Sequence, residues 1–252
     1  MIRIENVSKS FGKNQVLNGI SLDMNEPGVT AILGPNGSGK TTLIKCLMGM
    51  VLPDGGEIRF KGDHIRGKHL YRRDIGYLPQ IARFPDNLKV KELITWIANV
   101  RQQPDQRDKF VEAFGVSGIL DQTLGTLSGG TRQKINLILA MMHDSPVLVF
   151  DEPTVGLDPV AMVMLKNLIA EEKRNGKIIL ISTHIMDFVE QVADRIVYLL
   201  DGDIYYDGTI PDLKEKYGKS SLEKVIVSIL SQSVEEVSEP TNGMATHPKV
   251  FI

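Results

Sequence analysis

The residues best suited to chemistry form one run, Gly34-Pro35-Asn36-Gly37-Ser38-Gly39-Lys40-Thr41. It fits the phosphate-loop pattern G-x-x-x-x-G-K-[ST] at every fixed position. The glycines let successive backbone N–H groups turn inward around a polyphosphate, and a helix N-terminus adds partial positive charge. Lys40 would reach the β- and γ-phosphates, and Thr41 would offer its hydroxyl to Mg²⁺. Gly28–Leu33 before the run reads as a short buried strand. From Thr42, apolar residues recur at helical spacing, and Gly49 can stop the helix. A chance glycine-rich turn accounts for the run but not for this setting. The chain is expected to bind a nucleoside triphosphate.

Three further clusters could serve that ligand. The apolar residues 147–150 end in Asp151-Glu152. A carboxylate at a strand end beside a phosphate loop is placed for the Mg²⁺ shell, which is the role expected of Asp151. Glu152, one residue on, can polarise an attacking water. Without the phosphate loop the pair would read equally well as an acidic turn. Leu127-Ser128-Gly129-Gly130-Thr131 opens a helix whose interior includes Ile135, Leu137, Ile138 and Met141. A serine and two glycines at a helix start form an anion site, although an ordinary N-capped helix fits the same residues. Two phosphate grips for one nucleotide suggest that one is donated by a second subunit. His184 follows a strand in Ser182-Thr183-His184, and alone it reads as a structural histidine.

The elements that must position these groups alternate strand with helix, which implies an α/β fold on a mostly parallel sheet with an antiparallel edge. Ile2 and Ile4, then Ile20, Leu22 and Met24, alternate with polar residues as half-buried strands do, with a turn at residues 10–14. Residues 57–60 and Ile75–Leu78 read as strands, the first ended by Gly62-Asp63 and the second by Pro79. Residues 89–99 and 105–114 look like amphipathic helices without an intervening strand, so 81–127 reads as a helical insertion. Residues 159–175 form a helix with Pro159 in its first turn and Gly176 after it. A strand at 178–181 and a hairpin over 196–206 follow. Residues 222–230 read as a short amphipathic helix. The polar, aperiodic residues 232–252 are expected to be a flexible tail.

Composition narrows the classes. A chain of 252 residues can bury a sizeable core. Lys and Arg total 29 against 31 Asp and Glu, a balance without the electrostatic footprint of a nucleic-acid binder. The lone cysteine, Cys46, is expected to be a small buried apolar residue and excludes an internal disulfide. The apolar runs are far too short to span a bilayer, and the N-terminus lacks a signal-peptide pattern.

Taken together, the phosphate loop, Gln80, residues 127–131, Asp151-Glu152, Gly156-Leu157-Asp158-Pro159 and His184 resemble the ATP-binding subunit of ABC transporters. The resemblance covers residues 1–217, with 218–231 as a C-terminal helix. It implies a P-loop NTPase core with an N-terminal antiparallel β part, and an ATPase that dimerises around two MgATP. By it, Phe11 stacks on adenine where tyrosine is more usual, and Val16 flanks the ribose. Gly34, Pro35, Asn36, Gly37, Ser38, Gly39, Lys40, Thr41 and Thr42 hold the phosphates. Ser128, Gly129, Gly130 and Asp158 serve the opposite subunit's nucleotide. Gln80 matches the glutamine that contacts Mg²⁺ and water and hinges toward the membrane partner, and His184 matches the sensor of the γ-phosphate. Thr131 departs from the family, which usually has glutamine there, and this puts ribose contacts in doubt. The implied partner is a transmembrane permease, which would hold the subunit at the cytoplasmic face of the membrane. Phe84-Pro85, Leu88, Val90, Leu93 and Trp96 are candidates for the groove that receives it, and the same residues suit the insertion's own core. The helix at 222–230 is similar to that of ABC-2-type export ATPases. Residues 76–87 and 126–134 look like the ATPase of the system that matures the copper sites of nitrous oxide reductase. A soluble ABC ATPase acting on ribosomes or DNA is the alternative, but it would carry two ATPase units or a long coiled coil. A P-loop GTPase would carry an Asn-Lys-x-Asp motif, and this chain has none.

Overall fold

The computed structural model describes residues 1–238. The chain divides into two compact units, Met1–Thr209 and a second beginning at Ile210. In the first unit the alternating apolar residues near the N-terminus form β1 (Ile2–Phe11) and β2 (Asn14–Met24), paired antiparallel with Ile4 opposite Leu22. β4 (Gly55–Phe60) takes the other edge of β1, setting Ile58 against Ile4. Gly62 ends β4 as expected. Asp63, however, opens a short strand β5 (Asp63–His64) that folds back on Arg59 and Phe60. These strands make one sheet, in the order β2-β1-β4-β5.

The second sheet carries the site. Its strands are β3 (Gly28–Leu33), β6 (Ile75–Leu78), β7 (Val147–Asp151), β8 (Ile178–Ser182), β9 (Arg195–Leu200) and β10 (Asp203–Gly208). They lie in the order β10-β9-β3-β8-β7-β6. All neighbours are parallel except the hairpin of β9 and β10. The period of two sends successive residues to opposite faces, and here both faces are buried. Val147, Val149, Ile178 and Leu180 join Leu43, Ile44 and Leu47 of α1 (Lys40–Leu47) in one core. Leu148, Phe150, Ile179 and Ile181 join the other, with α4 (Gly129–Met141) and α5 (Pro159–Arg174). That alternation explains why the central strands read as continuous apolar runs.

The insertion holds α2 (Val90–Arg101) and α3 (Arg107–Ala113), within two residues of the ranges read from periodicity. Lys109 of α3 reaches Glu171 of α5 at 2.8 Å and so ties the insertion to the sheet's helical layer. Most of the proposed groove residues prove to be core. Val90 and Leu93 are fully buried, and Phe84 and Leu88 pack on the same cluster. Of that set, Trp96 stays 54% exposed. Cys46 is buried as expected, and burial pushes its thiol up to about 11.

Two helices escaped the sequence reading, α6 (Met186–Val192) and α7 (Ile210–Tyr217). α7 packs with α8 (Leu222–Ser238) in the second unit. α8 also runs past Ser231, the expected helix end, to Ser238. Val234 and Val237 extend the spacing of Ile226 and Leu230, a helical repeat hidden among polar neighbours. The rest of the expected flexible tail, 239–252, lies outside the described residues. Among the described residues, no helix is long and apolar enough to cross a membrane.

Candidate nucleotide site

The sheet brings the chemistry together at the carboxyl ends of its strands. Ser182 lies opposite both Ile32 of β3 and Asp151 of β7, and Leu78 of β6 lies opposite Phe150. The loop after Leu33, the pair Asp151-Glu152, His184 and Gln80 therefore all leave the sheet at one edge. In open parallel sheets this is the edge where ligands bind.

The phosphate loop bends as its glycines allow. Gly39 caps α1 at φ 104°, a left-handed conformation, and a Cβ there would sit 2.7 Å from the Val16 carbonyl oxygen. The backbone of Val16 thus backs directly onto the loop. Lys40 opens α1 and turns back over it, donating to the carbonyls of Gly34 at 2.8 Å and Pro35 at 2.9 Å. Its side chain is mostly buried. Burial lowers its pKa, and the charges of Glu152 and Asp151 oppose that shift in part. Ser38 is buried at the centre of the loop, and its hydroxyl meets no partner.

Asp151 ends β7 with only 1% of its surface exposed. Its Oδ1 accepts from Thr41 at 3.2 Å and from the Ser182 hydroxyl. Its Oδ2 is buried without any donor. An unsatisfied buried carboxylate oxygen is costly, and a native fold keeps one where a further ligand completes it. Glu152 follows at φ 55°, a left-handed conformation uncommon for a residue with a side chain. Its N–H donates to the Ser182 carbonyl at 2.9 Å. Both of its carboxylate oxygens lie 3.1 Å from Nδ1 of His184. Gln80 is exposed, two residues beyond β6. Phe11 stands 52% exposed at the end of β1, with the Lys9 ammonium 5.4 Å from its ring centre.

Ser128, Gly129 and Gly130 open α4 as an N-capped helix start that stands apart from the phosphate loop. Ser128 caps α4 by accepting from the Thr131 N–H at 3.2 Å. The Thr131 hydroxyl adds a 2.8 Å bond to Ser128 Oγ, so threonine at this position locks the cap. Among the described residues, no hydrogen bond joins residues 128–130 to the phosphate loop. Their ties run instead to the segment after Glu152. A Cβ on Gly130 would lie 2.4 Å from the Gly156 carbonyl oxygen, so only glycine permits this approach. Buried Gln133 donates to the Pro153 carbonyl at 3.1 Å. Lys134 pairs with Asp158 at 2.6 Å, and that bond holds the Asp158 carboxyl below its ordinary range. Asp158 also caps α5 through the Ala161 N–H.

Sequence reasoning missed the partners Ser182, Gln133 and Lys134. Ser182 sits inside a quoted motif, but nothing local says that its hydroxyl turns toward Asp151. Gln133 looks like an exposed helix residue until the sheet buries it.

The comparisons with known proteins agree with this geometry. The family model described as ABC transporter matches residues 17–155. An uncharacterised ABC transporter ATP-binding protein of Bacillus subtilis (strain 168) is 32% identical over 86% of this chain and 73% of its own length. A Nod factor export ATP-binding protein of Rhizobium sp. (strain N33) is also 32% identical, over 86% of this chain and 73% of that protein. Among solved structures, an ATP-binding subunit of an ABC transporter superposes with a TM-score of 0.85 at 26% identity, covering 91% of this chain and 99% of that one. The chain belongs to the ABC transporter ATP-binding family and is its ATPase subunit.

The contact of Gly130 with Gly156 yields a direct structural test. Gly130→Ala must force the start of α4 away from the loop after β7. Hydrogen–deuterium exchange of residues 128–132 should rise about tenfold or more, at a loss of about 1–3 kcal/mol in global stability. Exchange equal to the parent's would show that the two segments are not joined.

Proposed function

We propose that two copies of this chain close around two MgATP, and that hydrolysis drives export through a separate permease. One observation carries the reading. The Ser128-Gly129-Gly130 helix end packs against the segment beyond Glu152, with Gly130 close to Gly156, and makes no hydrogen bond to its own phosphate loop among the described residues. A nucleotide held by a second copy is the ligand it fits. Each composite site then has the phosphate loop of one subunit and the α4 terminus and Asp158 of the other. Phe11 and Val16 take the adenine and ribose ends. Export is supported by the export protein among the relatives. The narrower assignment, to the ABC-2 type and to maturation of the copper sites of nitrous oxide reductase, is carried by α8 and by residues 76–87 and 126–134. Trp96 and Val100, one turn apart on α2, and Ile81 next to Gln80 are exposed apolar side chains suited to the permease. That contact would hold the subunit at the cytoplasmic face of the membrane.

The residues divide the chemistry. Lys40 exchanges its bonds to the Gly34 and Pro35 carbonyls for the β- and γ-phosphates. Thr41, Asp151 and Gln80 would hold Mg²⁺, and the free Oδ2 of Asp151 fits that role. The ion supplies charge neutralisation on the phosphate oxygens. Glu152 accepts a proton from the attacking water or orients it along the line to the γ-phosphate. His184 holds Glu152 through Nδ1 and leaves the other ring nitrogen for the γ-phosphate. A positioned base contributes about 10²–10⁴-fold, or about 3–5 kcal/mol of barrier.

Glu152→Gln keeps the shape and removes the charge. Steady-state hydrolysis should fall about 10²-fold or more. MgATP binding should persist, because Lys40, Thr41 and the loop amides are untouched. Size-exclusion chromatography in MgATP should show a long-lived dimer. Turnover within a few-fold of the parent would remove Glu152 from the mechanism.

Ser128→Arg addresses the shared site. Nucleotide binding by the monomer should survive while turnover is abolished. Equal turnover in variant and parent would contradict a site shared between two chains.

A further inference from the structure

Away from the sheet ends, a second cavity of about 500 Å³ opens in the Met1–Thr209 unit. That is within the usual size of small-molecule pockets. Its walls come from the stretch just past α1, from β4 and β5, and from the turn leading to a short 3₁₀ helix, Leu70–Asp74. The floor is apolar, with Ile58, Ile65 and Cys46 buried beneath Val51 and Pro53.

One wall carries basic side chains. Arg66, Lys68, His69 and Arg72 line it, and the only carboxylate among the lining residues is Glu57. Glu57 is already engaged, by Arg59 at 2.7 Å and by His64 at 3.1 Å. Lys68 pairs with Asp63 at 3.2 Å. The side chains of Arg66 and His69 make no hydrogen bond or ion pair among the described residues. Arg72 donates through Nη2 to the Gly49 carbonyl at 3.2 Å, while its Nε–H is buried with no acceptor. A buried donor left unmet costs about 1–3 kcal/mol, and native interiors rarely keep one without reason. Exposed Arg66 and His69 and the buried, unmet Arg72 Nε–H thus line the same cavity as the apolar Ile58 and Ile65, and the cavity is large enough for a ligand.

We propose that this cavity binds a small amphiphilic anion: a phosphate, sulfonate or carboxylate carried on an apolar body. The charged head meets Arg66, His69 and Arg72, and the body lies on Val51, Ile58 and Ile65. The site is well placed to be felt by the ATPase. Tyr71 donates to the Leu47 carbonyl at 2.9 Å, and Arg72 donates to Gly49. The cavity wall thus fastens the end of α1, the helix that begins with Lys40 and Thr41.

The test uses the full chain and anilinonaphthalene sulfonate, a fluorescent apolar anion. The parent should bind it at one site, and octyl phosphate should displace it. Octyltrimethylammonium, with the same tail and opposite charge, should not. Arg66→Glu with His69→Glu should weaken binding about tenfold or more, since each charge-assisted bond is worth roughly a factor of ten. Arg66→Lys should retain most of it. MgATP binding should be the same in all of these proteins, which guards against a folding defect. Equal probe affinity in the double variant, or equal displacement by the cationic amphiphile, would overturn the site. Sedimentation with phosphatidylglycerol vesicles distinguishes the sources of the anion. Cosedimentation that needs Arg66 and His69 makes it a lipid headgroup, and its absence beside octyl phosphate binding makes it a free amphiphile.

Discussion

A carboxylate buried where two strands end is the constraint that the rest of this fold serves. Asp151 is almost wholly out of water, yet one of its oxygens has no donor. Burying a charge is tolerable only when neighbours are positioned to meet it. Here those neighbours come from far along the chain: Thr41 from the helix after β3, and Ser182 from the end of β8. Each can reach Asp151 only because β3, β8 and β7 are adjacent and in register. The two cores, one on each face of the sheet, hold that register. Packing remote from the nucleotide thus decides whether the phosphate loop and the acidic strand end meet.

The second consequence concerns what lies beyond the strand. Glu152 leaves β7 in a left-handed conformation, and the chain then runs past Gln133, Gly130 and Lys134 to Asp158, which caps α5. The start of α4 and the end of β7 are therefore joined by backbone contact, a buried hydrogen bond and an ion pair. A change at Glu152 has a short path to the helix cap at Ser128. The Thr131 hydroxyl bonds Ser128 and so adds to the cap of α4.

Much of this was legible before any coordinates. The phosphate loop declares itself because its glycines and its lysine are fixed by local chemistry. The central strands declare themselves because burial on both faces leaves uninterrupted apolar runs. What stayed hidden depends on contacts distant in sequence. Gln133 and Ser182 acquire meaning only from what the sheet places beside them. Val90 and Leu93 suited the insertion's core as well as a docking groove, because an apolar helix face reads alike whether it meets a partner or its own core, and the structure makes them core. α6 and α7 are each about two turns long, too short for periodicity to emerge. The extension of α8 was masked by polar residues between Leu230 and Val237.

The most direct measurement concerns the free oxygen of Asp151. Equilibrium binding of ATP would be compared with Mg²⁺ present and with the metal chelated, for the parent chain and for Asp151→Asn. If that oxygen completes the metal's shell, the parent binds MgATP about tenfold or more tightly than free ATP. Asp151→Asn then binds both forms alike, with free ATP affinity close to the parent's. A variant that keeps the parent's full preference for MgATP would contradict the account.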